Sequence, residues 1–231
     1  MMPHNIEELV ESQTLKWQLA KAQRQKNKSP IRPLITISRQ HGTEGAQLGE
    51  LIARRLGFDF WDQQLVHEMA DHGKMSEILL ASLDERPKNV FIEAFAAFQY
   101  VGMTTSDYMR ELWFQLHTIA HHGDAVVVGR GAQFALDPAK TFRVRIIAPR
   151  EYRIEQIAIN SETEDLDAGA EVDRVDRERA KFIREQWSRD IDDIHAYDML
   201  VNREYLELGS AADGIIAAYR RRFNVPGLPV C

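Results

Sequence analysis

ITISRQHGTEGAQLGELIARRL, residues 35–56, begins with a short β-branched run, breaks at a polar loop with two glycines, and resumes with apolar residues at helical spacing. The first part predicts a strand over Leu34–Ser38 and the last part a helix over Ala46–Leu56. Between a strand and a helix, glycines let successive backbone N–H groups surround an anion, and the helix N-terminus adds its positive end. We therefore expect a phosphate-binding loop that contains no lysine, although such a turn by itself is also compatible with a tight turn that binds nothing. The residues expected to contact the phosphates are Gly42, Thr43, Glu44, Gly45, Ala46 and Gln47.

Outside this stretch, short apolar runs alternate with helical patterns. GFDFWD, DAVVVGRG, FRVRIIA and MLVN each predict a further strand. Alternation of this kind predicts a parallel sheet covered on both faces, hence an α/β three-layer sandwich with five strands. The helices are predicted over Gln63–His72, Lys88–Tyr100, Ser106–His122, Arg150–Asn160 and Ser210–Arg222.

The composition is that of a globular protein, with 44% hydrophobic and 28% charged residues. A net charge of −6 argues against nucleic acid as a partner. No apolar run approaches the roughly 20 residues of a membrane span, and the first residues are too polar for a secretory signal. We therefore expect a cytoplasmic protein without a membrane partner. Its one cysteine, Cys231, cannot form an intrachain disulfide.

An N-terminal arm precedes the first strand. Residues 4–28 have the pattern of an amphipathic helix, which SPIRP ends because proline cannot continue it. We divide the chain into this arm, residues 1–33, and a domain over residues 34–231. The arm is expected to pack on the core or on a partner chain, so a homodimer formed through it is one interpretation.

Three ordered motifs resemble the cytidylate kinase-like family, a branch of the nucleoside monophosphate kinases. They are residues 35–66, residues 126–158, and the closing YDMLVN, so the resemblance extends over about four-fifths of the chain. It implies a P-loop kinase-like fold, ATP as phosphoryl donor, Mg²⁺ as metal, small-molecule nucleotides as substrates, and CMP as the nominal acceptor. Members of this branch also lack the loop lysine. Against an ordinary loop of the family, Gly45 stands where the lysine would be and Ala46 where the magnesium-binding serine would be.

A cation is still needed beside the transferred phosphate, because phosphoryl transfer depends on positioning and charge neutralisation. Arg39, at the end of the first strand, is the nearest candidate for this catalytic role. The alternative is an arginine that braces the loop by bonding its carbonyl groups, and the sequence favours neither.

The acceptor is expected at the carboxyl ends of the second and third strands. Arg130 matches the arginine of the family's Gly-Arg-Asp motif, which implies binding of the acceptor's phosphate. The acidic residue that normally precedes this motif is replaced by Val128, and the aspartate of the motif itself is replaced by Gly131. Asp62 is the remaining carboxylate for catalysis, for Mg²⁺ or for an acceptor hydroxyl, and it is equally suited to cap the next helix. No residue is assigned as a direct metal ligand.

Two segments are expected to complete the site. Residues 63–122 would form a helical acceptor-binding insert, and the charged segment 171–193 a lid that excludes water. The resemblance implies phosphate contacts for Arg153, and Arg177 and Arg184 are the lid cations chosen first. A salt-bridged, solvated helix is the alternative for that segment.

Two weaker signals remain. Tyr197 and Asn202 fall where the resemblance places the donor base. His117 and His121 lie one helical turn apart, a spacing that can chelate a metal, although ordinary buried or surface histidines explain it better.

The activity expected from the sequence is ATP-dependent phosphoryl transfer to a nucleoside monophosphate or another small acceptor. The rival interpretation is a nucleotide-binding regulatory module with weak or no catalytic turnover.

Overall fold

The computed structural model describes residues 6–27, 30–71, 83, 89, 92–93, 106–161 and 165–225. The helix predicted over Lys88–Tyr100 lies almost wholly outside the described residues. The described helices are α1 (Ile6–Asn27), α2 (Gly45–Leu56), α3 (Gln63–Asp71), α4 (Asp107–His122), α5 (Ala132–Ala135), α6 (Arg150–Ser161), α7 (Asp165–Trp187) and α8 (Leu208–Phe223). The strands are β1 (Leu34–Arg39), β2 (Asp59–Trp61), β3 (Ala125–Val128), β4 (Thr141–Ile147) and β5 (Met199–Asn202).

The five strands form one sheet in the order β2-β3-β1-β4-β5, and every neighbouring pair is parallel. Ile37 of β1 lies beside Val128 of β3 and Val144 of β4. The carboxyl ends of these three strands therefore meet at one edge. The predicted parallel five-stranded α/β fold is confirmed, and the strand order makes the residues after Ser38 and Val128 neighbours.

One face of the sheet is packed against α2 and α8. Ile35 and Ile37 alternate along β1 and are completely buried with their counterparts on β3, β4 and β5. Leu48 and Ile52 of α2 and Ile215 of α8 have no exposed surface either. Because this apolar layer fixes β1 and the start of α2, it also fixes the loop between them.

The chain divides into two compact units. The sheet unit comprises Pro33–Asp62 and Ala125–Cys231. The other unit comprises Met1–Arg32 and Gln63–Asp124, so the N-terminal arm belongs with the helical insert.

Within this second unit, α1 and α4 are in direct contact. Trp17 stacks on His122 with ring centroids 4.0 Å apart. Arg24 Nη1 donates to the carbonyl oxygen of His122 at 2.9 Å, and Asp124 accepts from both Arg24 and Arg32. These contacts join the arm to α4 within this unit, whereas its sequence suggested packing on the core or on a partner chain.

None of the described helices is both long and apolar enough to span a membrane.

Candidate phosphate-binding site

The loop between β1 and α2 is held by its own backbone and by α6. Gly42 has a φ of +80°, and a Cβ at this position would lie 2.5 Å from the carbonyl oxygen of Arg153. Thr43 Oγ1 donates to the carbonyl oxygen of Gln40 at 2.8 Å. Glu44 is left-handed, with a φ of 54°, and precedes the first turn of α2. The first N–H groups of α2 have no acceptor within the helix, so this turn presents donors to an anion.

Gly45, at the position of the missing lysine, lies directly against Arg39. A Cβ on Gly45 would be 2.6 Å from Arg39 Cβ and 2.8 Å from Arg39 Cγ. Real Cβ atoms do not come this close to another carbon, so the stem of Arg39 fills the space that a side chain at position 45 needs. The site thus has a cation beside the loop, supplied by the end of β1 instead of the start of α2.

The loop is braced from the other side by two carboxylates of α7. The backbone N–H of His41 donates to Asp176 Oδ1 at 2.8 Å. Arg153 Nη1 donates to Asp176 Oδ2 and, at 3.2 Å, to the carbonyl oxygen of His41. The His41 ring bonds Glu171 at 2.8 Å. The Arg153 side chain is buried and engaged with protein groups, so its contacts here are those of a brace.

Positive charge accumulates around Arg39. Burial, followed by the guanidinium groups of Arg179, Arg130 and Arg145, lowers the pKa of Arg39 to about 9, and the carboxylate of Asp62 opposes this shift. Arg39 therefore stays protonated at neutral pH in a site where cations dominate. A bound polyanion would relieve this repulsion.

A cleft of about 400 Å³ opens above the loop. Its walls come from the loop, from α6 and from α7. The lining residues are Arg39, Gln40, His41, Gly42, Thr43, Glu44, Gly45, Ala46, Gln47, Ile157, Asn160 and Arg179. All six residues predicted to contact phosphate thus line one cleft, together with Arg39.

Arg130 occupies a left-handed backbone position between two left-handed glycines. The φ values of Gly129, Arg130 and Gly131 are 83°, 55° and 73°. A side chain at position 131 would collide with the indole of Trp187, so the glycine is required there. The guanidinium lies 5.5 Å from the centre of the Phe182 ring. An arginine in this conformation is uncommon, and such strain is concentrated at functional sites.

Asp62 follows β2 at the same edge of the sheet and is half-buried. Because its charge raises the pKa of Arg39, the carboxylate lies within electrostatic range of that guanidinium. Among the described residues, no group of three or more histidine, cysteine or acidic side chains could hold a metal ion alone.

Sequence reasoning missed an ion pair that holds the loop. Arg203, 3% exposed, follows β5 and donates through Nη2 to Glu44 Oε2 at 2.7 Å. This pairing neutralises the carboxylate that the loop would otherwise present to a phosphate. The acidic residue inside a phosphate-binding loop was the signal for such a partner.

Arg179 was also missed. The structure leaves Arg177 and Arg184, the two lid cations chosen from the sequence, on the exposed side of α7. Arg174 and Lys181 lie on that exposed side too and pair with Glu178 and Glu185 one turn on, as in the solvated-helix alternative. Arg179 instead lines the cleft and donates to the carbonyl oxygen of Arg39 at 3.1 Å.

The weaker candidates have structural contacts. Tyr197 is buried, and its hydroxyl donates to the carbonyl oxygen of Ile191 at 2.6 Å. Asn202 Oδ1 accepts from the backbone N–H of Glu204 at 3.0 Å. His117 bonds the carbonyl oxygen of Trp113 at 2.8 Å and stacks on the Trp113 ring.

A known protein family matches the part of the chain that contains the site. The sequence profile described as the cytidylate kinase-like family matches residues 34–205. No curated protein matches the sequence significantly. A crystal structure of an uncharacterized protein from Eubacterium ventriosum aligns with a TM-score of 0.65 and 18% identity, covering 82% of this chain and 99% of that one. A gluconokinase from Sinorhizobium meliloti aligns with a TM-score of 0.47 and 15% identity, covering 84% and 95%.

Proposed function

Because the chain belongs to the cytidylate kinase-like family, we propose that it transfers a phosphoryl group from ATP to a nucleoside monophosphate, nominally CMP, or to another small acceptor. The family supports nucleotide-dependent phosphoryl transfer in general. ATP as the donor and the identity of the acceptor are our inference.

The observation that carries the proposal is the contact between Arg39 and Gly45. A phosphate loop without its lysine would lack the cation that neutralises charge on the transferred group. Here Arg39 Cβ lies 2.6 Å from the position that a Cβ of residue 45 would take. The Arg39 side chain therefore starts next to the place where the lysine side chain would start. Guanidinium also contacts two phosphate oxygens at once, which an ammonium cannot do with the same geometry.

The donor and acceptor would approach from different strands. The donor phosphates would lie against the backbone N–H groups of residues 42–47 in the cleft, with the chain of phosphates directed toward Arg39. The acceptor's anionic group would bind Arg130 after β3. Arg130 and Arg39 are close enough for each charge to affect the other, which suits two reacting phosphates held side by side.

Magnesium would arrive with the donor, because Mg²⁺ is commonly bound through substrate phosphates and one or two carboxylates. Asp62 fits such a contact, since it follows β2 at the same edge of the sheet and its charge is felt by the guanidinium of Arg39. Ala46 supplies no hydroxyl ligand. The ion would neutralise charge on the phosphates, while Asp62 would orient it or accept a proton from an acceptor hydroxyl.

A regulatory nucleotide-binding module is the second candidate. It is favoured by Val128 and Gly131, which replace acidic residues next to Arg130, and by Ala46, which replaces a hydroxyl residue, while the backbone N–H donors of the β1–α2 loop remain. This alternative predicts ATP binding without turnover.

One assay separates the two. The full chain is incubated with ATP, Mg²⁺ and a panel of nucleoside monophosphates or small hydroxylated acceptors, and ADP and phosphorylated products are detected by mass spectrometry. We expect one acceptor class to give equal amounts of ADP and product. ATP binding by calorimetry without product from any acceptor would favour the regulatory module.

A further inference from the structure

Helix α7 has an apolar face interrupted by two charged residues. Ala168, Val172, Ile183 and Trp187 are at most 4% exposed, and together with positions 176 and 179 they recur every three or four residues along one side of the helix. Asp176 and Arg179 lie between them on that same side, at the level of the phosphate loop. Charged side chains on a buried face require hydrogen-bonding or ionic partners, because without them their burial costs free energy.

Asp176 has compensating partners, since it accepts from the His41 N–H and from Arg153. Arg179 is compensated less completely. Its Nη1 donates to the carbonyl oxygen of Arg39, but its Nε is buried and, among the described residues, bonds no acceptor. Burial lowers the pKa of Arg179 further than Asp176 raises it, and Arg145 and Arg153 add to the lowering.

Arg179 also lines the cleft above the loop. Its hydrogen bond to Arg39 fixes the orientation of the guanidinium while leaving this group at the cleft wall. Arg177, two residues earlier, is turned roughly 200° around the helix and is exposed. The neighbouring arginines therefore differ in position although their chemistry is the same.

We infer that Arg179 is the anion-binding residue of α7: its guanidinium contacts a phosphate group in the cleft, and its bond to the Arg39 carbonyl aligns the two arginines on one ligand. This rests on the proposed function for the identity of the ligand as a nucleotide polyphosphate. It also assigns Asp176, three residues away on the same face, to bracing the loop against which that ligand lies.

Binding of inorganic tripolyphosphate to the full chain, measured by calorimetry, tests this inference without requiring turnover. We expect Arg179→Ala to weaken binding about tenfold or more, the effect of losing one charged hydrogen-bonding partner. Arg177→Ala, the matched control on the exposed side of the same helix, is expected to change the dissociation constant by less than twofold. Arg179→Lys is expected to recover part of the loss, because it restores charge without the planar geometry.

Arg179→Gln separates anion binding from bracing. Glutamine retains an N–H donor for the Arg39 carbonyl but has no charge, so we expect its binding to be as weak as that of the alanine variant. Recovery of wild-type binding by glutamine would make Arg179 a brace and overturn the inference. Equal binding by Arg179→Ala and Arg177→Ala would overturn it as well. A wild-type protein that binds no tripolyphosphate would contradict the proposed function itself, and the two failures are thereby distinguished.

Discussion

Arg39 and Gly45 illustrate how one position can compensate for another. The loss of a side chain at position 45 leaves room for the stem of Arg39, which enters from the adjacent strand. From the sequence, Arg39 was equally compatible with a loop brace and with a phosphate contact. The structure adds that it lies among Arg130, Arg145 and Arg179, where cations outnumber the nearby carboxylate of Asp62.

Gly45→Ala tests whether the Arg39 stem occupies the space beside Gly45. The new methyl group would overlap the Arg39 stem, so we expect the free energy of unfolding to fall by about 1–3 kcal/mol and ATP binding to weaken. Gly214→Ala is the matched control, because Gly214 is also helical and its Cβ would meet its nearest neighbour only at 4.0 Å. That variant is expected to be neutral or stabilised by up to about 1 kcal/mol. Equal effects in chemical denaturation would show that Arg39 does not fill the space beside Gly45.

Arg130→Ala tests the acceptor contact. Charge-assisted bonds contribute about 1.5–3 kcal/mol, so we expect acceptor binding to weaken on the order of tenfold to a hundredfold. Arg130→Lys should restore only part of it, and ATP affinity should change little because the proposed place of the donor is against the β1–α2 loop. Unaltered acceptor affinity together with a lower melting temperature would instead identify Arg130 as structural.

At the level of elements, α7 explains why some predictions from the sequence succeeded and others did not. Cations on its exposed side recur at regular spacing and are conspicuous in the sequence, whereas Asp176 and Arg179 are single charges within an apolar pattern. Reading that pattern as the buried face would have identified them. Arg203 was harder to find, because its pairing with Glu44 joins residues 159 positions apart.

Asp176→Asn tests whether α7 braces the loop. The change removes the negative charge that pairs with the buried Arg153 and keeps the shape of the side chain at position 176. We therefore expect the free energy of unfolding to fall by about 1–3 kcal/mol. Asp173→Asn is the control one turn earlier, where the pair with Arg150 is exposed and contributes little to stability. The two variants are compared by urea denaturation, and equal losses would contradict the brace.

Helix α4 gives a pH prediction. Burial lowers the pKa of His117 from 6.5 to about 4, against the opposing effect of its bond to the Trp113 carbonyl. The unfolded chain then takes up a proton below about pH 6.5 and the folded chain only below about pH 4, so stability decreases as the pH falls through this range. We expect His117→Gln, which keeps a donor for Trp113, to show a shallower loss between pH 6.5 and 4. The same slope in both proteins would refute this assignment.

For the whole molecule, the parallel sheet was predictable because it is encoded locally, in apolar runs such as residues 125–128 between helical patterns. These strands also determine which loops share an edge, and so the neighbourhood of Arg39, Arg130 and Asp62 followed from the topology. What did not follow was the grouping of the N-terminal arm with the insert, since the bonds from Arg24 and Arg32 to Asp124 join segments about 100 residues apart.

The central claim is that Arg39 replaces the loop lysine in phosphoryl transfer. Steady-state kinetics of the wild-type protein and Arg39→Ala, with ATP, Mg²⁺ and the acceptor identified from the panel, test it most directly. We expect kcat to fall roughly a hundredfold or more in the variant, the effect of removing one donor to developing charge, while the ATP dissociation constant changes by only a few fold. An unchanged kcat, or an equal loss in ATP affinity and rate, would contradict it.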